Sequence, residues 1–283
     1  MTDASARLQA LARELAAYVE HCKPRAILLT GSAATGAADL YSDLDLIVYH
    51  DELPPATAFG AARDAVGAVE AGVFAPPTNT EYPELYTWHG VQCQVAHQTI
   101  KAWEADLRTV LVDVDVESSL QKAISGLYEG IGLHGEDLIE RWRDETRYPD
   151  ELARAMVERH WRFFPIWHVQ ARLSTRDAAL WSRQVLVESA FALLGVLAGL
   201  NRLWFTSFQF KRAREFVAQM TIAPSNLADR LEALVSLEIA TAIAELEALV
   251  AETQALLVEH MPDFDASLRR GPGTREIPWK LAT

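Results

Sequence analysis

Two aspartates one residue apart, Asp43-Leu44-Asp45, interrupt a run that is otherwise apolar through Leu46, Ile47 and Val48. In an extended strand, residues i and i+2 point to one face, so these carboxylates stand side by side. Like charges so placed repel each other, and apolar neighbours raise the penalty of leaving them uncompensated. A magnesium ion meets that demand, because it takes one or two carboxylates and completes its octahedron with phosphate oxygens and water. Thr30-Gly31-Ser32 lies upstream, separated from Asp43 by ten residues. Gly31 and Ser32 follow the apolar run Ala26-Ile-Leu-Leu-Thr30 and open a turn of small residues. In such a turn backbone N–H groups can approach a phosphate, and the serine hydroxyl adds a hydrogen bond. A metal on paired carboxylates beside a phosphate-cradling turn suits in-line attack on a nucleoside triphosphate, with pyrophosphate leaving and an acceptor hydroxyl taking the nucleotide. The bland alternative is a Gly-Ser turn with two aspartates on an edge strand.

The elements that must hold these residues are legible as patterns. Leu8, Leu11, Leu15 and Val19 recur at helical spacing over residues 4–22, and Pro24 ends that helix. Strands are expected at 26–30 and 43–49, with the GSAATGAADLYS turn between them. A helix over 55–70 starts at Pro55, a loop covers 75–82, and a hairpin of 85–89 with 91–97 turns at His89-Gly90. Thr99 caps a helix carrying Trp103 and Leu107 on its inner face. Beyond about residue 115 strand signals vanish, and 150–172, 177–200 and 227–260 read as long helices. The fold class expected is α+β: a small mixed-sheet domain over 1–115, an all-helical bundle over 116–270, and an extended tail over 271–283.

Bulk properties narrow the class of protein. Lys+Arg 26 against Asp+Glu 39 leaves a net charge of −13, which disfavours nucleic acid as a partner. An acidic surface suits a cationic small substrate, and equally suits simple solubility. The richest apolar stretch, 191–200, is short and reads as a buried helix, so no membrane span is expected. The first residues lack a basic start with an unbroken apolar core, so no signal peptide is expected either. Two cysteines, Cys22 and Cys93, are too few for a disulfide framework, and no Cys/His cluster has zinc spacing. A cytoplasmic enzyme or binding protein is the expectation, with its oligomeric state open.

Gly31-Ser32 followed by Ser42-Asp43-Leu-Asp45-Leu resembles the signature of the polymerase-β-type nucleotidyltransferase superfamily, and the order helix, strand, Gly-Ser turn, Asp-x-Asp strand is similar to that fold. The resemblance directly covers about residues 25–50. It implies that Gly31, Ser32 and Ser42 bind the nucleotide and that Asp43 and Asp45 are the catalytic metal ligands, with Mg²⁺ as cofactor and ATP or another triphosphate as co-substrate. A helical domain behind a small nucleotidyltransferase domain is similar to the aminoglycoside and lincosamide (antibiotic) nucleotidyltransferases, which transfer AMP to a drug hydroxyl. Tyr148-Pro-Asp-Glu-Leu152 and Leu200-Asn-Arg-Leu-Trp-Phe205, ahead of a basic helix with Lys211 and Arg212, carry this second resemblance. By that analogy Lys211 reaches the triphosphate; a solvated surface lysine is the other reading. The expected activity is transfer of a nucleoside monophosphate, AMP from ATP, to a hydroxyl of an antibiotic-like molecule or metabolite in a cleft between the domains. The alternative is an antitoxin-like or regulatory nucleotide-binding or protein-AMPylating module with weak turnover.

One departure stands out. The superfamily usually has a third carboxylate on a later strand, where this chain reads Gly90-Val-Gln-Cys-Gln-Val-Ala-His97, placing Gln94, or Gln92, at the acid's position. Glutamine ligates through its carbonyl but accepts no proton from an alcohol, and loss of a general base typically removes about 10²–10⁴ in rate. Glu81, Glu84, an acid of the helical domain, or His97 are the candidate substitutes; a protein that binds nucleotide without efficient turnover is the remaining one. Arg154 and His160 also resemble the Arg…His pair of helical RNase toxins, a spacing that arises readily by chance. Trp161, Phe163, Phe164 and Trp167 read as core or pocket wall.

Overall fold

Strand β1 (Ala26–Thr30) and strand β2 (Leu44–His50) lie antiparallel at the centre of a six-stranded sheet. This is a computed structural model, which describes residues 1–163 and 177–268. The remaining strands are β3 (Val69–Val73), β4 (Glu81–Trp88), β5 (Val91–Thr99) and β6 (Ile131–His134), in the spatial order β3-β4-β5-β2-β1-β6. Only the β2–β5 pairing is parallel, so the sheet is mixed and the fold class is α+β as the sequence suggests.

Alternation along the strands sorts their side chains between two faces. Ile27, Leu29, Leu44, Leu46, Val48, Cys93 and Val95 point to one face and bury against Leu8, Leu15 and Val19 of helix α1 (Asp3–Val19). Each such large apolar side chain contributes roughly 1.5–3 kcal/mol when fully buried. On the other face Tyr49 packs its ring 4.6 Å from Trp142 and 5.8 Å from Trp103, and all three are fully buried. Trp103 comes from helix α4 (Ile100–Leu111), whose N-cap Thr99 accepts a hydrogen bond from the Ala102 N–H. The hairpin of β4 and β5 turns at His89 and Gly90, both at positive φ, the conformation a two-residue hairpin loop demands.

Two strands escaped the sequence reading. β3 begins in what read as the end of a helix and runs on through residues that were given no element, because all five of its residues are exposed on a sheet edge and no alternation marks them. β6 was missed because four half-buried residues carry no period. By its contacts the chain divides into compact units at Met1–Arg147 and Tyr148–Thr283. Helix α5 (Leu120–Glu129), β6 and helix α6 (Glu136–Glu145) all belong to the first unit. Helix α3 (Ala56–Val66) is also shorter than expected, stopped by Gly67 in the left-handed region.

Helices are the regular elements of the second unit's described part. Helix α7 (Asp150–His160) packs on the helix Ala179–Asn201, followed by Ala213–Val217, Leu227–Ser236 and Ile239–His260. A β-carbon at Gly199 would lie 2.8 Å from the Ala153 carbonyl oxygen, so the two helices meet backbone to backbone at that point. Ala179–Asn201 is long and apolar enough to cross a membrane by length and composition, yet 61% of its most apolar window is buried inside the unit. A helix apolar all round is what the core of a bundle requires. Trp161 is buried, with its ring N–H donated to the Ala266 carbonyl at 3.1 Å and its ring 5.1 Å from that of Phe163. Phe164, Trp167 and the expected tail at 271–283 lie outside the described residues.

Candidate functional site

The loop between β1 and β2 is set by its anchors to the first turns of α1. Thr2 donates its hydroxyl to the Ala38 carbonyl at 2.7 Å, Ser5 Oγ accepts from the Ala38 N–H at 2.9 Å, and Gln9 Nε2 donates to the Ala33 carbonyl at 2.9 Å. Small residues permit this close wrapping, and they coil residues Gly31–Thr35 into a single helical turn, α2, directly off β1. Ser32 sits half-exposed in that turn. Farther along, Asp39 and Ser42 close the loop: Ser42 Oγ donates to Asp39 Oδ1 at 3.1 Å and accepts from the Asp39 N–H at 2.9 Å. The expected nucleotide contact at Ser42 is therefore also a loop staple, immediately ahead of Asp43.

Asp43 and Asp45 are both half-exposed and share the sheet face turned away from α1, as Leu44 and Leu46 between and beyond them face the α1 core. Asp45 pairs in register with Thr30 of β1 on one side and Gln94 of β5 on the other. Gly31 has φ +69°, and a β-carbon built on it would lie 2.3 Å from Asp45 Oδ2. The backbone of the Gly-Ser turn thus abuts the second carboxylate, and a side chain at position 31 would have to push that carboxylate aside. Gly31→Ala adds the left-handed penalty of roughly 1–2 kcal/mol and displaces the Asp45 carboxylate. Urea unfolding is expected to register that loss, and a variant as stable as wild type would show that the close approach imposes no constraint.

Gln94 also lies on this face, and its Nε2 donates to Asp43 Oδ2 at 2.7 Å. Among the described residues no three His, Cys, Asp or Glu side chains gather within metal-ligating reach. The donor set is two hard carboxylates with an amide beside them, which suits a magnesium ion that draws its other ligands from phosphate and water. Lys211 belongs to the second unit, where it is exposed and precedes the five-residue helix Ala213–Val217 instead of lying on a basic helix.

The candidate bases are separated by the pleat. Glu84 and His97 occupy positions that face α1 and α3, opposite to Asp43 and Asp45, and each is at most 3% exposed. Glu84 accepts from Arg63 of α3 and from His97 Nε2 at 3.0 Å, while His97 Nδ1 meets His50 Nε2 at 3.0 Å. Phe59 covers His97 with ring centroids 4.1 Å apart. Burial first, and the neighbouring His97 second, push the His50 imidazole down to about 4. Burial also lowers His97 against the opposing pull of Glu84. These groups form a buried polar network that holds β2, β4, β5 and α3 together. Sequence reasoning did not link them, although Leu46-Val48-His50, Cys93-Val95-His97 and Glu84-Tyr86-Trp88 share one parity and placed all three polar residues on the inward face. Glu81 does share the face of Asp45, but it pairs with Gln98, roughly 13 Å along β5 from Gln94 at 3.3 Å per residue.

Arg154 and His160 do not form a pair. Six residues on an α-helix separate them by about 240°. Arg154 is exposed and bonded to Glu158 at 3.0 Å, whereas the His160 ring packs directly over Gly195.

Residues 10–125, from within α1 to within α5, match the family model described as a nucleotidyltransferase domain. No curated protein matches the chain. Among solved structures, a nucleotidyltransferase-like protein from Exiguobacterium sibiricum 255-15 aligns with 13% identity and a TM-score of 0.40, over 92% of this chain and 81% of that one. The matched stretch contains the Gly-Ser turn, both aspartates and Gln94, and a nucleotidyltransferase domain supports nucleotidyl transfer as the general chemistry of the first unit.

Proposed function

We propose that this chain is a magnesium-dependent nucleotidyltransferase that moves AMP from ATP to a hydroxyl of a small molecule, antibiotic-like or metabolite. The observation that carries the reading is the side-by-side placement of Asp43 and Asp45 with the Gly31 backbone against the second of them. Asp43 and Asp45 would hold the ion. When bound, it neutralises triphosphate charge and favours departure of pyrophosphate. The backbone N–H groups of Gly31 and Ser32, in the turn that abuts Asp45, would receive the triphosphate, and Ser42 staples the loop ahead of Asp43 through Asp39. Gln94 does not take up the acceptor's proton, so that proton leaves to a group other than the one on β5.

A second reading, a regulatory nucleotide-binding or protein-AMPylating module, is favoured by Gln94 and by the burial of Glu84 and His97 on the far face. Isothermal titration of each of the four nucleoside triphosphates, with and without Mg²⁺, tests what the two readings share. Binding of ATP that requires Mg²⁺ is the expected result, and failure of the wild type to bind any triphosphate would sink both. Labelled ATP incubated with a panel of hydroxylated small molecules, and separately with proteins, then distinguishes them by which acceptor carries the label.

A further inference from the structure

Gln94 is bonded to Asp43, the aspartate one step away, while its register partner across the parallel pairing is Asp45. Its amide therefore reaches past the directly opposed carboxylate to a diagonal one. Only the Nε2 end can make that bond, since the carbonyl end would meet a carboxylate as acceptor against acceptor. The bond is not needed to join the strands, because β2 and β5 are already paired at seven positions from Leu44–Cys93 to His50–Thr99. An acid at position 94 would place a third negative charge beside Asp43 and Asp45.

We propose that Gln94 is a positioning residue for the cation site: its amide N–H fixes Asp43 Oδ2 so that the other oxygen of Asp43 and the Asp45 carboxylate are presented together. This rests on the reading of Asp43 and Asp45 as cation ligands. A hydrogen bond to a ligating carboxylate sets its rotamer before the ion arrives, and removing such partners typically weakens metal affinity 10–100-fold. A neutral donor does this without competing for the ion, which a lysine or arginine at the same place would do by charge.

The test uses the full chain and Mn²⁺ as probe, with free ion measured by electron paramagnetic resonance in the absence of nucleotide. Gln94→Met keeps the length of the side chain and removes the donor; Gln94→Thr, short and suited to a strand, is the second variant should the first not fold. Both are expected to weaken Mn²⁺ binding about 10–100-fold, with a urea midpoint close to wild type. Gln219→Met, exposed in the second unit, is expected to leave affinity unchanged. In an Asp43→Asn background Gln94→Met is expected to add nothing, because its action runs through Asp43. Equal weakening in both backgrounds would assign Gln94 a general structural role and overturn the proposal. Wild-type affinity in Gln94→Met, with binding lost in Asp43→Asn, would overturn it while leaving the two aspartates as ligands. A wild type that binds no Mn²⁺, with or without ATP, would overturn the ligand reading itself.

Discussion

Asp45→Asn is expected to lower nucleotidyl transfer by about 10²–10³-fold or more while leaving the fold intact. The substitution preserves shape and removes one of the two charges that stand side by side at positions 43 and 45. Charge stabilisation by a bound metal is worth several kcal/mol in a reaction of this kind, and each 1.36 kcal/mol is a factor of ten in rate. Asparagine still presents a carbonyl oxygen, but a neutral one, so the charge that holds the ion is lost while the shape is kept. Stability is expected to stay at or slightly above wild type, since like charges on one face repel when no cation lies between them. Pyrophosphate release and Mg²⁺-dependent ATP titration measure the first effect, and urea unfolding the second. A variant that retains transfer at the wild-type rate would show that Asp45 does not hold the catalytic ion. A variant that loses both transfer and stability would show that the residue acts through the fold.

Glu84→Leu is expected to produce the opposite pattern. Its carboxylate lies between Arg63 and His97, and its side chain is 4% exposed against 19% for that of Arg63. Removing one partner of a buried ion pair leaves the other uncompensated and typically costs about 3–5 kcal/mol. Arg63 keeps some access to water, so about 3 kcal/mol is expected here. The loss also strips His97 of the acceptor that orients it toward His50. The double variant Arg63→Leu/Glu84→Leu is expected to recover much of the loss, because replacing both charges with apolar groups removes the desolvation penalty along with the attraction. Mg²⁺-dependent ATP binding is expected to persist in any variant that folds, because the pleat turns Glu84 away from Asp43 and Asp45. Wild-type stability in Glu84→Leu would mean that the network does not hold the strands, and loss of ATP binding in a folded variant would mean that the two faces are coupled.

The contrast between these variants shows how far residue order carries the argument. Local rules determined β1, β2, the hairpin at His89-Gly90, the Thr99 cap and the shared face of Asp43 and Asp45, because each depends on a short period or on a turn that a few residues dictate. The Gly31-Ser32 turn belongs with them, although the reason for the glycine did not. Only the folded sheet shows that Gly31 lies against Asp45 Oδ2, a contact between the turn that leaves β1 and a residue of β2. The parallel pairing of β2 with β5 is likewise a tertiary choice, and it decided that Gln94 meets Asp43 and that Glu84 and His97 do not. β3 and β6 were illegible because an exposed edge and a four-residue strand leave no hydrophobic period to read. The sequence by itself determined which residues could do chemistry and which share a face, since strand geometry sets that locally. The tertiary structure alone decided which acids reach the site, because register between strands distant in sequence is set by the packing of whole faces.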